Sequence, residues 1–115
     1  VEHHELVLAR GGPGGYATTL NQLSWRLDSL DSLIDYHHRL TASGTRITQV
    51  VTHGIALGIY FLDPEDNTGE VYWHTGRSVP QPFRRDIDLS TGPDAVLDAA
   101  ERLLTAPGST YRRAD

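Results

Sequence analysis

Residues 53–73, "HGIALGIYFLDPEDNTGEVYW", constrain the fold more than any other stretch of this chain. An apolar run, a cluster of turn formers and a second β-rich run follow one another with almost no slack. That order predicts two antiparallel strands joined by a tight acidic turn. Pro64 fixes its own φ, and Gly69 is free to take a positive one. Alternation along the second strand puts Glu70 and Tyr72 on one face and Val71 and Trp73 on the other. A hairpin of this kind is stable only when one face is covered, so the flanking sequence must supply the cover.

That cover is legible on both sides. "LNQLSWRLD" alternates as a strand, with Leu23, Trp25 and Leu27 on one face and Gln22, Ser24 and Arg26 on the other. A helix follows, with Asp28 or Ser29 as its N-cap and an apolar stripe of Leu30, Leu33, Ile34, His37 and Leu40. Gly44 is the expected stop, and the stripe is expected to cover the Leu23, Trp25, Leu27 face. "TRITQVV" and "IALGIYFL" read as two further strands, which makes residues 20–74 a β-α-β-β-β unit. Residues 75–115 read as an irregular tail carrying a helix over "TGPDAVLDAAERLL". Thr91 and Asp94 have capping-box spacing there, Pro93 is early, and Leu97, Ala100 and Leu104 are the docking residues. Upstream, "HHELVLAR" alternates as a strand and "GGPGG" reads as a connector. His3 and His4, being adjacent on a strand, point to opposite faces and cannot chelate one ion together.

Composition narrows the function. The 115 residues allow one domain and one core. Net charge is −5 with no basic run, which argues against nucleic acid and anionic membranes as partners. There is no apolar run of about 18 residues, and a cytoplasmic location is the default expectation. With no cysteine, six histidines and fifteen carboxylates, any metal site would use nitrogen and oxygen ligands.

A β-α-β-β-β unit ending in "YFLDPEDNTGEVYW" resembles the vicinal oxygen chelate superfamily of glyoxalases, bleomycin-resistance proteins and extradiol dioxygenases. It is most similar to small catechol-2,3-dioxygenase-like proteins. The elements of likeness are His53, Tyr60, Asp63, Pro64 and Glu70. Where those relatives have Gly two residues after the turn proline, this chain has Asp66, which also tolerates left-handed geometry. The resemblance implies an α+β fold in which two modules form a half-barrel around a divalent metal. Residues 1–10 would be the last strand of a preceding module. It implies Glu70 as a metal ligand, with Gln22 where a histidine ligand is usual. His53 and Tyr60 become the catalytic pair, with His53 as acid–base and Tyr60 orienting substrate. Ser24, Arg26 and Tyr72 would contact substrate, although a plain salt bridge is the slightly preferred role for Arg26. His53 and Tyr60 are seven residues apart, an offset that points them to opposite faces of an unbroken strand; a bulge at Gly54 or Gly58 would reconcile them.

Two kinds of function are implied. One is a ring-cleavage dioxygenase using Fe(II) on a catechol-type aromatic substrate, with Mn, Zn or no metal as alternatives. The other is a non-catalytic small-molecule binder of the bleomycin-resistance kind, which Gln22 favours; a glyoxalase-like lyase or isomerase is the third possibility. A single module leaves an open sheet edge, so an upstream module or a homodimer is expected to complete the chamber.

Overall fold

The computed structural model describes residues 21–106. The strand expected over residues 1–10, the 11–15 connector and the histidines His3 and His4 lie outside the described residues. What is described is α+β: two helices and one mixed five-stranded sheet. Strand β1 (Leu23–Arg26) is followed by helix α1 (Leu30–Ala42), then β2 (Arg46–Thr52), β3 (Ala56–Leu62), β4 (Thr68–His74), β5 (Arg85–Asp86) and α2 (Pro93–Thr105). The sheet order is β1-β4-β3-β2-β5. Strands β2, β3 and β4 form an antiparallel meander, and β1 returns beside β4 in parallel after the α1 crossover. No helix among the described residues is long and apolar enough to cross a membrane.

The helix ends follow from local chemistry. The Ser29 hydroxyl accepts from the Ser32 amide at 3.1 Å, which makes Ser29 the α1 N-cap. Gly44 takes φ +72° just past the C-cap, as a helix stop of this kind requires. Helix α2 starts differently from expectation. Its N-cap is Gly92, no side chain caps it, and the Thr91–Asp94 box does not form. Pro93 stands at the start of the helix, where its missing N–H costs nothing.

The core lies between the helices and one face of the sheet. Leu33, Leu57, Ile59, Leu89 and Val96 are essentially solvent-free and form its centre. Two expected contacts are corrected here. Helix α2 docks through Val96, Ala100 and Leu103 rather than through Leu97, which is 41% exposed. Leu27, just past β1, packs on the core, but Leu23 and Trp25 on the strand remain 49% and 51% exposed. Helix α1 meets β2 and β4, and Leu23 and Trp25 lie outside its cover.

The β3–β4 turn is built by Asp63. Its carboxylate accepts from the amides of Glu65 and Asn67 and from the Asn67 side chain. Those bonds, Asn67's side chain foremost, hold the Asp63 carboxyl below the usual carboxylate range. Asp66, with φ +66°, takes the left-handed position, and Arg46 pairs with its carboxylate. Gly69 plays another part. It lies in β4 opposite Phe61, and a Cβ there would meet the Phe61 ring at 2.6 Å.

Two measurable consequences follow from the core. Gly69→Ala is expected to lower stability by about 1–3 kcal/mol through overpacking, and an added Phe61→Leu substitution should return part of that loss in urea denaturation. An additive double mutant would show that the Phe61 ring is not what the new methyl meets. The second consequence concerns His37. Its Nδ1 is buried without a hydrogen-bond partner, and burial, then His38, lower its pKa while Asp88 opposes them. The unfolded chain, with an ordinary histidine near 6.5, binds the proton more readily. Stability is therefore greatest above about pH 6.5 and falls as pH drops toward the lowered native value. His37→Leu should flatten that slope between about pH 7 and 5, as thermal unfolding across that range would show.

Candidate functional site

The sheet face turned away from the helices carries the polar side chains, and strand register sets them in rows. Ser24, Glu70, Tyr60 and Gln49 form one row across β1, β4, β3 and β2. Arg26, Tyr72, Gly58, Val51 and Asp86 form the next. Ala56 and His74 are paired in a third, and the His53 amide closes on the Ala56 carbonyl at 2.8 Å. Strand β2 enters these rows through a bulge. Register shifts between Ile47 and Gln49, so Ile47 packs on the core while Gln49 lies opposite Tyr60.

Glu70 is the centre. It is 8% exposed, among the few buried polar residues described. Burying a carboxylate is costly unless donors replace water, and two are present. Ser24 Oγ donates to Glu70 Oε1 at 2.8 Å, and Gln22 Nε2 donates to the same oxygen at 3.3 Å. Tyr60 stands opposite Glu70 in the β3–β4 pair. Space for the carboxylate comes from the neighbouring row: a Cβ on Gly58 would stand 2.9 Å from Glu70 Oε2. Gly58 thus does not host a bulge; it leaves room for Glu70.

His53 and Tyr60 are brought together by another route than a bulge in β3. The β3–β4 pairing runs without a break, and His53 precedes β3 in a turn closed at Gly54, φ +76°. From there His53 Nε2 reaches Tyr60 Oη at 3.2 Å, with the rings edge-on. His53 Nδ1 lies 2.9 Å from the Phe83 carbonyl, which can only accept, so Nδ1 carries a proton. Gln81 braces this segment by donating to the His53 and Val79 carbonyls and accepting from the Phe83 amide. Arg84, two residues past Pro82, donates to Gln49 Oε1 at 2.9 and 3.0 Å and so borders the Tyr60 end of the row.

The expected residues therefore fall into two sets. Gln22, Ser24 and Glu70 make one hydrogen-bonded set, and Tyr60 with His53 makes a second, the two meeting where Tyr60 stands opposite Glu70. Arg26 and Tyr72 lie in the adjacent row, with the Tyr72 ring 5.4 Å from that of His74. Sequence reasoning missed the 79–86 segment, which contributes Gln81, the Phe83 carbonyl and Arg84. Its two prolines and mixed charge disguise a short strand that pairs with β2 through Val51–Asp86 and Thr52–Arg85. The signal that could have found it is Phe83, a lone large apolar residue in a polar run, which the fold buries.

Among the described residues, no group of three or more His, Asp or Glu side chains is placed to hold a metal ion. Gln22 turns its amide nitrogen, not its oxygen, toward Glu70. One carboxylate already supplied with donors and one amide nitrogen do not by themselves fit a divalent cation, which seeks oxygen or imidazole lone pairs. Two concavities among the described residues lie elsewhere. A cleft of about 440 Å³ runs between Trp73, Thr75 and helix α2, with the Arg77–Glu101 ion pair beside it. One of about 610 Å³ lies by the Asp63 turn. Neither touches Glu70, Tyr60 or His53, and among the described residues Ser24, Arg26 and Gln49 leave the rim of the polar rows exposed.

Fold and site together define an α+β domain with a buried, hydrogen-bonded carboxylate on an open sheet face. No protein-family model matches the chain, and no curated protein matches it.

Burial, then the Glu70 carboxylate, push the Tyr60 hydroxyl well above the ordinary tyrosine range, while Arg84 opposes them. Glu70→Gln is expected to bring the Tyr60 ionisation midpoint down while leaving it above about 10, because burial remains. An ultraviolet alkaline titration, read as one of the five tyrosines, checks this; an unmoved midpoint would break the Tyr60–Glu70 link.

Proposed function

We propose that this domain binds a small, aromatic or otherwise compact molecule on the polar face of its sheet. The architecture would be that of the vicinal oxygen chelate superfamily, acting as a binder rather than a ring-cleaving enzyme. The β-α-β-β-β order with β1 parallel to β4 supports the architecture. The observation that carries the binding reading is Glu70, a carboxylate removed from water yet set among Ser24, Gln22 and Tyr60 on an otherwise open surface. A carboxylate serving only solubility would project into solvent on such a face. Tyr72 and His74, partly buried side by side, supply flat apolar surface next to it. Among the described residues β1 is the end strand of the sheet, and a further module or a second copy of the chain would complete the chamber over this face.

Metal-dependent cleavage of a catechol-type ring is the second reading, and the His53–Tyr60 pair at 3.2 Å favours it. It requires ligands beyond Glu70 and Gln22. One experiment separates the two. The full chain is titrated with catechol by NMR, first metal-free and then after loading with Fe(II) and dialysis. Saturable shifts at Ser24, Tyr60, Glu70 and Tyr72 without retained iron are the expected result. Stoichiometric iron with a ring-fission product would replace binding by catalysis, and shifts confined to other faces would remove both.

A further inference from the structure

We propose that the cleft between Trp73 and helix α2 is a second binding site, and that it takes an uncharged, apolar molecule of one or two rings. It lies on the helical side of the sheet and is independent of the polar face. Its lining comes from an apolar excess on α2. The helix carries Val96, Leu97, Ala100, Leu103 and Leu104, a stripe wider than its docking requires. Val96, Ala100 and Leu103 pack on the core. Leu97 and Leu104 line the cleft instead, together with Trp73 of β4. Leu97 is 41% exposed, so a large apolar side chain stands at the cleft without being used to hold the fold. The volume, about 440 Å³, suits a small molecule.

The hydroxyl and charged side chains around the cleft decide the ligand class, because they are already engaged. Thr52 Oγ1 accepts from the Gly54 amide at 3.0 Å. Thr75 Oγ1 donates to the Gly54 carbonyl at 2.6 Å and accepts from the Arg77 amide at 3.1 Å. Arg77 Nη2 and Glu101 Oε1 pair at 2.5 Å, joining the loop after β4 to α2 with one charge of each sign. A carboxylate entering here meets Glu101 as well as Arg77, and an ammonium meets Arg77 as well as Glu101, so neither has a net attraction. Either would also give up hydration against Trp73 and Leu97, which costs more than an exposed ion pair returns. An uncharged ring has no such cost. It takes its own surface and that of Leu97 and Trp73 out of water, and an aromatic ring adds its contact with the indole.

The test uses the full chain and three probes of similar shape at about pH 7: toluene, benzoate as an anion and benzylamine as a cation. NMR follows the methyl groups of Leu97, Ala100 and Leu104 and the Trp73 indole N–H. Toluene should give saturable shifts there and bind about fivefold or more tightly than either charged probe, the order of a modest desolvation cost. Leu97→Ser should weaken toluene about three- to tenfold, part of the burial of one leucine. Leu97→Met should keep the affinity within about twofold, as a volume-conserving change, and amide spectra check that both variants are folded. Glu101→Gln leaves Arg77 without its counter-charge, so benzoate should gain on toluene. The absence of saturable toluene shifts, or shifts at Tyr60 and Glu70 in place of the cleft, would overturn the proposal. So would a charged probe binding as tightly as toluene in the native chain, toluene affinity unchanged in folded Leu97→Ser, or benzoate unmoved in Glu101→Gln. Binding at the polar face, read with catechol at Ser24, Tyr60, Glu70 and Tyr72, stands or falls separately.

Discussion

The register of β3 against β4 decides where every chemically active side chain of the described domain stands. Tyr60 lies opposite Glu70 and Phe61 opposite Gly69, because Asp63 gathers the Glu65 and Asn67 amides into a turn of fixed length. A slip of one residue would turn Glu70 toward the leucines behind the sheet and bring Val71 to the polar face. Two glycines make this register the tolerable one. Gly69 leaves room for the Phe61 ring on the core side, and Gly58 leaves room for the Glu70 carboxylate on the other. Packing on one face and electrostatics on the other thus select the same pairing, which is how a short hairpin becomes unambiguous.

From that pairing the rest is assembled in layers. Strand β1 reaches β4 in parallel and places Ser24 level with Glu70. The β2 bulge lets Ile47 serve the core without forcing Gln49 off the polar row. The Gly54 turn and the 79–83 segment then deliver His53 to Tyr60. The donors to Glu70 come from β1 and the residue just before it, so the carboxylate reports on the assembled sheet rather than on local sequence.

That distinction explains what could be read from the sequence. Period-two and helical patterns are local, and they placed the strands of the 20–74 unit, α1 with its cap at Asp28 or Ser29, and α2. The alternation along "LNQLSWR" and "GEVYW" also put Gln22, Ser24, Glu70 and Tyr72 on like faces correctly. Contacts set by distant geometry were not legible. Leu23 and Trp25 look like core residues by pattern but lie beyond the helix cover. His53 and Tyr60 have the wrong parity for one strand, and only a turn with a positive φ resolves it. The capping box at Thr91 fails because Gly92, one residue later, is the N-cap. Strand β5 is two residues long and paired at an edge, too short to leave a periodic trace.

The open character of the face bears on what kind of chemistry it can support. Electrostatic catalysis gains most where water is excluded, and the described rows are bordered by exposed Ser24, Arg26 and Gln49. Glu70 is the exception, shielded by its neighbours while the surface around it stays wet. A site of this design holds one strong acceptor dry and leaves its rim free to adapt, which suits recognition by a directional hydrogen bond. Ring cleavage would need the same residues inside a closed chamber, with further metal ligands brought to Glu70. The step from binder to enzyme therefore turns on what covers this face and what donors that cover carries. The Ser24–Glu70 and Phe83–His53–Tyr60 contacts are common to both, because each requires Glu70 and His53 to be held at fixed positions by groups that are themselves hydrogen-bonded.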